Sequence, residues 1–435
     1  MKSKILLKLC CHVLSSAVLL SSAVLIATRA TPAHAESPQP MTLDAVVAEV
    51  LAQNPEVAFY GAEIAAAKGD AQSAGSWEYP EISTSLGDKR VTGGGTTSEG
   101  VAWSVSAQQT FEWPGRIPLR KAIANHQIQL AELGFAQFKS TLAARTRTAA
   151  FTLFAAQQKA TAARVVADRF HALRQVLVQR DPAGITPQLE LRIIEATEIT
   201  MLRKASEAAL AEQTARLELN HLRGQPWQRE LTIAPVDLTF TAAPDPDTLL
   251  AAARAHNFEI RMRQVELTQQ GFKVSLAAVD QYPSFTVGPY FSQERAGDGE
   301  RQIGLSLSMP LPLWDRDDGD IEAARARQQQ AETSMTVTQR AVERQVVEQA
   351  LVYRTKLDEM TKWRPESGAE FRAAADRADR HYRLGAVPIT TYVELQKQYL
   401  DAVEALLDTK REALDAGQQL ELLTGLDIRA VRTRP

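Results

Sequence analysis

From Arg116 to about Arg180, and again from Asp317 to about Arg383, the sequence reads as helix with little interruption. At about 1.5 Å per residue each tract would reach roughly 100 Å if continuous. No compact globule has a core that long, so these helices must pack along one another as a coiled-coil-like array. Both tracts are studded with alanine: Ala143, Ala144, Ala149 and Ala150 in the first, Ala323, Ala324 and Ala326 in the second. Small side chains let neighbouring helices approach closely. A turn at Gly184–Pro187 follows the first tract and one at Gly385–Pro388 the second, and each should send a second helix back. Pro365 interrupts the second tract and should kink it.

The pairing of tracts extends to the rest of the chain. Asn54-Pro55-Glu56 recurs as Asn257-Phe258-Glu259, and Tyr79-Pro80 as Tyr282-Pro283, both 203 positions later. Trp113 reappears as Trp314, and Leu222 and Gly224 as Leu423 and Gly425, 201 positions on. The order and near-constant offset imply two similar halves, about 41–227 and 245–427. The division expected is 1–35 signal peptide, 36–227 first repeat, 228–244 link, 245–427 second repeat and 428–435 tail. Thr42 and Asp245 are positioned to cap the first helix of each half. Each of those helices should end before its Tyr-Pro pair, because the residue preceding a proline is driven to extended geometry.

The N-terminus speaks to location. Lys2, Lys4 and Lys8 precede an apolar run from Val13 to Ala27, and Ala33-His34-Ala35 follows as a cleavage site. This is the pattern of a secretory signal peptide cut before Glu36. The only cysteines, Cys10 and Cys11, fall inside it, so the mature chain is expected to hold no disulfide, thiolate metal site or Cys nucleophile. A net charge of −3 over 435 residues gives no electrostatic case for nucleic acid.

Four segments alternate with period two. Ile82, Thr84 and Leu86 form one apolar row, and Val101, Trp103, Val105 and Ala107 a second. Phe285, Val287 and Phe291 form a third, and Ile303, Leu305, Leu307 and Met309 a fourth. Serine and glycine occupy the intervening positions of the last. Gly87–Gly100 and Gln293–Arg301, rich in glycine and charge, are expected to be exposed loops. Strands of about nine to eleven residues suit a tilted bilayer crossing with one face to lipid and one to water. A soluble four-stranded sheet packed on its own helices shows the same alternation. Export, and the narrow alanine stripes of helices unable to cover a broad sheet, favour lipid. In lipid every backbone group must be paired, so only a closed barrel is allowed. Four strands cannot close one, and the barrel must then be shared between chains.

"PLPLWDRDDGDIEAARA", from Pro310 to Ala326, reads as a strand end, an interfacial Trp314, a polar hinge and a helix N-terminus. The acids do not make an EF-hand loop: counted from Asp315, the Gly and Glu positions of that pattern hold Asp320 and Ala326. This motif resembles one of the TolC-like outer-membrane efflux family. So does "RPESGAEFRAAADRADRHYRLGAVPITTYVELQKQYLDAVEALL", with its Tyr-x-x-Gly turn and returning helix, and so does the closing "LELLTG". The resemblance covers both halves in order. It implies a mostly α fold with a small β part: a trimeric α-helical barrel forming a periplasmic tunnel, joined to a shared 12-stranded transmembrane β-barrel, with two structural repeats per chain. The implied partners are two further copies, outer-membrane lipid, a periplasmic adaptor and an inner-membrane pump. The hinge and the lack of a lipidated Cys look most like the outer-membrane component of heavy-metal (cobalt–zinc–cadmium type) efflux systems; export of drugs, other organic solutes or proteins on the same scaffold is the alternative.

By position the resemblance places the adaptor-docking turns at Arg180 and Gly184 and at Arg383, Leu384 and Gly385. Its acidic constriction corresponds to Thr391 and Glu394, six and nine residues past Gly385, with Glu190 the matching acid of the first half. Thr391 breaks the acidic pattern. No cofactor, metal site or catalytic residue is expected: His126, His171, His221, His256 and His381 are scattered, and no GxSxG, P-loop or HExxH occurs. A periplasmic adaptor would carry one hairpin rather than two, and a hydrolase on a stalk would need a catalytic domain for which no segment is left.

Overall fold

The computed structural model describes residues 40–428 except 94, 180–184, 237, 312–317 and 364–366. The expected signal peptide, the Trp314 hinge, Pro365, Arg180 and Gly184 lie outside the described residues.

The chain opens with α1 (Leu43–Gln53) and α2 (Pro55–Ala74), then β1 (Glu81–Gly93), β2 (Thr96–Phe111), α3 (Arg116–Gln179) and α4 (Ile185–Leu222). The same order follows with α5 (Pro246–His256), α6 (Phe258–Asp280), β3 (Phe285–Ala296), β4 (Asp298–Ser308), α7 (Asp318–Thr361), α8 (Ser367–Arg383) and α9 (Ile389–Thr424). Thr42 caps α1 by accepting from the Ala45 amide, and Asp245 caps α5 by accepting from Thr248.

Each half was expected to begin with one helix; each begins with two. Asn54 and Asn257 sit in extended geometry between them and cap the second helix through their side-chain oxygens. The first break follows from Pro55, which cannot donate to the preceding turn. The second needs no proline. The Asn257 side chain accepts from the amides of Glu259 and Ile260, offering the backbone an alternative to a continuous helix.

The two joints are locked alike. The Asn54 amide donates to the Leu222 carbonyl and the Asn257 amide to the Leu423 carbonyl, each at 3.0 Å. Beside them Gly224 and Gly425 end the long return helices with positive φ. A Cβ on Gly224 would lie 3.2 Å from the Gln53 carbonyl, and one on Gly425 3.0 Å from the His256 Cβ. Each return helix therefore closes against the last turn of its own half's first helix.

α3 is the spine, 64 residues long, and packs against α4, α6, α2 and α9. Near the joints Leu43, Val46 and Val50 pack on Leu142 and Phe151 of α3 and Leu219 of α4, with Leu231 and Ile233 of the link. A second core joins Leu249 of α5, Val342, Val346 and Tyr353 of α7, and Leu420 of α9. The end of α4 is tied to α1 by Arg223, whose buried guanidinium meets Glu49 through two hydrogen bonds of 3.0 and 2.9 Å. Further along α3, Lys159 pairs with Asp408 of α9 at 2.8 Å.

The strands form one antiparallel meander in the order β1-β2-β3-β4. They run 13, 16, 12 and 11 residues, longer than expected in three of the four. Gly87–Gly100 and Gln293–Arg301, expected as exposed loops, are mostly strand. Asp88 pairs with Val101 and Glu294 with Glu300, and the chain reverses close to Gly95 and Gly297, both at positive φ. Glycine and charge mark these strands' outer ends because a hairpin in water can keep its ladder without an apolar face. Within one chain the sheet is open, with β1 and β4 at its edges.

Candidate functional site: the strand face and the hairpin tip

The pairing register places every apolar row on one face. Leu86 faces Trp103, Val105 faces Phe291, and Phe291 faces Ile303. Ile303, Leu305 and Leu307 are 83%, 77% and 73% exposed, although nothing in their sequence invites water. An apolar patch of this kind marks a surface that water does not normally meet. The opposite face carries hydroxyls and glycine. Ser85 bonds Ser104 at 2.7 Å, Thr110 bonds Thr286 at 3.1 Å, and Ser306 donates to the Gly288 carbonyl at 3.0 Å. Gly288 is required by the close approach of β2 to β3, because a Cβ there would lie 1.9 Å from the Ala107 carbonyl oxygen.

Aromatic rings gather where the sheet meets the helices. Trp113 stacks on Tyr282 with centroids 4.9 Å apart, Phe111 on Phe285 at 5.5 Å, and Trp77 meets Phe111 edge-on. Such amphipathic rings are the ordinary furniture of a membrane–water boundary. One residue at this junction has no signal in the sequence. Arg116, first in α3, donates to the Ser284 hydroxyl at 2.8 Å and to the carbonyls of Asp280 and Tyr282 at 2.8 and 2.7 Å. It also pairs with the Asp280 carboxylate. It ties the start of the spine to the crossing from α6 into β3. Glu112 beside it is buried and pairs with Arg120 at 2.8 Å.

At the far end of the helices, Gly385 closes α8 at φ 73°, its amide donating to the Tyr382 carbonyl while Ala386 donates to that of His381. Leu384 projects from this turn 79% exposed. Arg383, expected in the adaptor-docking turn, is exposed but not free: it donates to Asp379 one helical turn back at 3.0 Å. Behind the turn Tyr392 is fully buried, stacked on Tyr382 and packed against Phe170 of α3. Its hydroxyl donates to Asp379 at 3.3 Å. Burial and the neighbouring Asp379 charge both push the Tyr392 phenol well above its ordinary range, so it remains a donor.

The other expected site residues separate. Glu190 is half-buried and lines a groove with Leu173, Tyr382, Arg383 and Gly385, so the first hairpin's acid adjoins the second hairpin's turn. Thr391 and Glu394 are exposed on α9, opposite the Ile389–Tyr392–Val393–Gln396 face that packs inward. Gln398 donates to Glu394 at 2.7 Å. The turn and Glu190 thus come together, while Thr391 and Glu394 form a separate face.

Among the described residues no helix is long and apolar enough to cross a membrane, and no group of His, Cys, Asp and Glu is arranged to hold a metal ion.

Comparison with known proteins bears on these features. Residues 249–426 match the model of a family described as outer membrane efflux protein. No curated protein matches the chain. Among solved structures, the CmeC outer membrane channel of Campylobacter jejuni superposes with a TM-score of 0.70 at 15% identity, over 90% of this chain and 87% of that one. The MtrE outer membrane channel of Neisseria gonorrhoeae, solved in an open state, gives 0.68 at 14% identity over 90% and 91%. CusC, studied for its folding and transmembrane channel formation, gives 0.69 at 14% identity over 89% and 92%. At these identities the likeness is one of fold. The chain has the fold of solved outer-membrane channels along nearly its whole length, and its second half carries the sequence pattern of the outer membrane efflux proteins.

Proposed function

We propose that this chain is the outer-membrane channel of a tripartite export system. Three copies would pool their four-stranded sheets into a 12-stranded transmembrane β-barrel, continued into the periplasm by a tunnel of long helices. One observation carries this: an open sheet with two edge strands and an apolar face that none of its own helices covers is welded to long helices, of which α3 spans roughly 100 Å. Lipid covers such a face only if the edges are paired, and neighbouring copies supply the missing strands. The two structural repeats give each copy two strand pairs and two hairpins.

The turn at Arg383, Leu384 and Gly385, with its first-half counterpart at Arg180 and Gly184, would meet a periplasmic adaptor and through it an inner-membrane pump. Leu384 gives that turn an apolar contact point and Gly385 its shape. Glu190, Thr391 and Glu394 would narrow the tunnel near the tip. The cargo favoured by the Pro310–Ala326 hinge is a heavy-metal cation, met by carboxylate rings rather than a coordination site.

Fractionation tests the location: the mature protein should reside in the outer membrane and migrate as a heat-modifiable oligomer. In a strain lacking its own export channel, the chain expressed with a matched pump and adaptor should restore growth on cobalt, zinc or cadmium. Restoration only on organic toxicants would assign the cargo to that class instead.

A further inference from the structure

On the polar face of the sheet, the rows through Ser83 and Ser85 of β1 carry uncharged side chains across the three strands beside it. Ser85, Ser104, Ser106, Ser292 and Gln302 share this band with Tyr290, whose ring lies over Gly304 where a Cβ would be 2.6 Å away; the next row toward the helices begins with Glu81. On the hairpin side, farthest from the helices, charge enters with Glu294, in the row of Gly87. Two residues beyond Gly87, Lys89 bonds the Glu294 carboxylate and lies 3.1 Å from that of Glu300. The three belong to β1, β3 and β4. Lys89 can reach across β2 because the residues opposite it and opposite Glu294 are Gly100 and Ala102. Gly100 is fixed by its own surroundings, since a Cβ there would lie 1.4 Å from the Arg295 carbonyl oxygen. One lysine between two glutamates leaves this trio one net negative charge in each chain, and Asp298, on the same face one row nearer the hairpin tip, adds a second.

We infer that Lys89, Glu294 and Glu300 form a charge filter for small inorganic ions at the outer mouth of the pore, and that Lys89 limits its preference for cations. This rests on the channel reading above, which turns the polar face into the lumen and repeats the cluster around the mouth. With the adjoining band neutral, these charges and Asp298 at the hairpin tip set the local potential. An ion leaving the pore passes them over serine and glycine, which neither attract nor repel it strongly.

Reversal potentials in planar bilayers under a KCl gradient test the filter. At about 0.1 M salt the potassium-to-chloride permeability ratio of Lys89→Met should rise about twofold or more, and that of Glu300→Gln should fall. The variants should converge near 1 M, where the screening length drops from about 10 to about 3 Å. Arg90→Met, one residue along β1 and on the opposite face, should leave the ratio unchanged. Heat-modifiable migration confirms that each variant has assembled. Open channels whose ratio is moved by neither Lys89→Met nor Glu300→Gln would overturn the filter and leave the channel intact. Assembled wild-type oligomers that never conduct would overturn the channel reading, and the filter with it.

Discussion

The side-chain amide of Asn54 donates to the Leu222 carbonyl across 168 positions of sequence, and Asn257 does the same to Leu423 across 166. In each pair one asparagine caps a helix with its oxygen and closes a long hairpin with its nitrogen. Replacing either by alanine should remove a cap and orphan a carbonyl, for a combined loss of about 2–3 kcal/mol. Chemical unfolding of the two single variants, followed by helical circular dichroism, should show similar losses. Variants as stable as wild type would mean that the joints are held by the neighbouring apolar contacts alone.

The strand register can be tested one residue at a time. Leu305→Arg or Leu307→Arg should destabilise the protein in lipid by about 2–4 kcal/mol if the site lies near the bilayer midplane, because the charge enters hydrocarbon. Ser306→Arg, on the opposite face, should cost less. Urea titration in lipid vesicles measures both. A more damaging Ser306→Arg would shift the lipid face by one residue.

Arg116 holds one hydroxyl and two carbonyls in a planar fork that lysine cannot reproduce. Arg116→Met should leave these acceptors unpaired and lower stability by about 1.5–3 kcal/mol, with Arg116→Lys recovering little of it. Thermal unfolding in detergent distinguishes the outcomes; full recovery by lysine would reduce the residue's role to charge.

The tie between α5 and α7 should depend on acid. Hydrogen bonds from Arg254 and Gln339 hold the Glu343 carboxyl below its ordinary value of 4.5. A depressed folded value means that the contribution is complete above that ordinary value and is lost as pH falls through the folded one. The stability gap between wild type and Glu343→Gln should therefore be present at neutral pH and close as the pH falls below 4.5. A gap that widened on acidification would contradict the assignment.

Gly385 reaches φ 73° with no atom near the place of a Cβ, so a side chain there is opposed by backbone strain rather than by crowding. Gly385→Val should assemble and insert, yet fail in export assays with the pump and adaptor present. Normal export would remove this turn from the docking surface.

The parts of the fold legible in the sequence are those where one period persists. The alternation of Ile303, Leu305 and Leu307 gives the sheet face directly, and the uninterrupted tract after Arg116 gives the spine. The outer halves of the hairpins were illegible because Asp88, Lys89 and Glu294 look like loop residues, although a ladder outside lipid needs no apolar side chains. Both breaks in the opening helices run against the single-helix reading: the one at Asn54 has a sequence mark in Pro55, and the one at Asn257 has no proline and only its capping geometry reveals it. The role of Arg116 is not legible in the sequence because its acceptors lie more than 160 positions away, beyond any local motif. At the tip, the Gly385 turn was legible from its composition. The pairing of Arg383 with Asp379 was available in the four-residue spacing, and the meeting of Glu190 with that turn was not, because it depends on how two hairpins pack.

The central claim is that the sheet of one chain is incomplete. Light scattering on detergent-extracted protein, with the detergent contribution subtracted, weighs the assembly directly. The account predicts a mass of three mature chains that persists on dilution and is lost on heating. A folded monomer, stable in buffer without detergent, would contradict it.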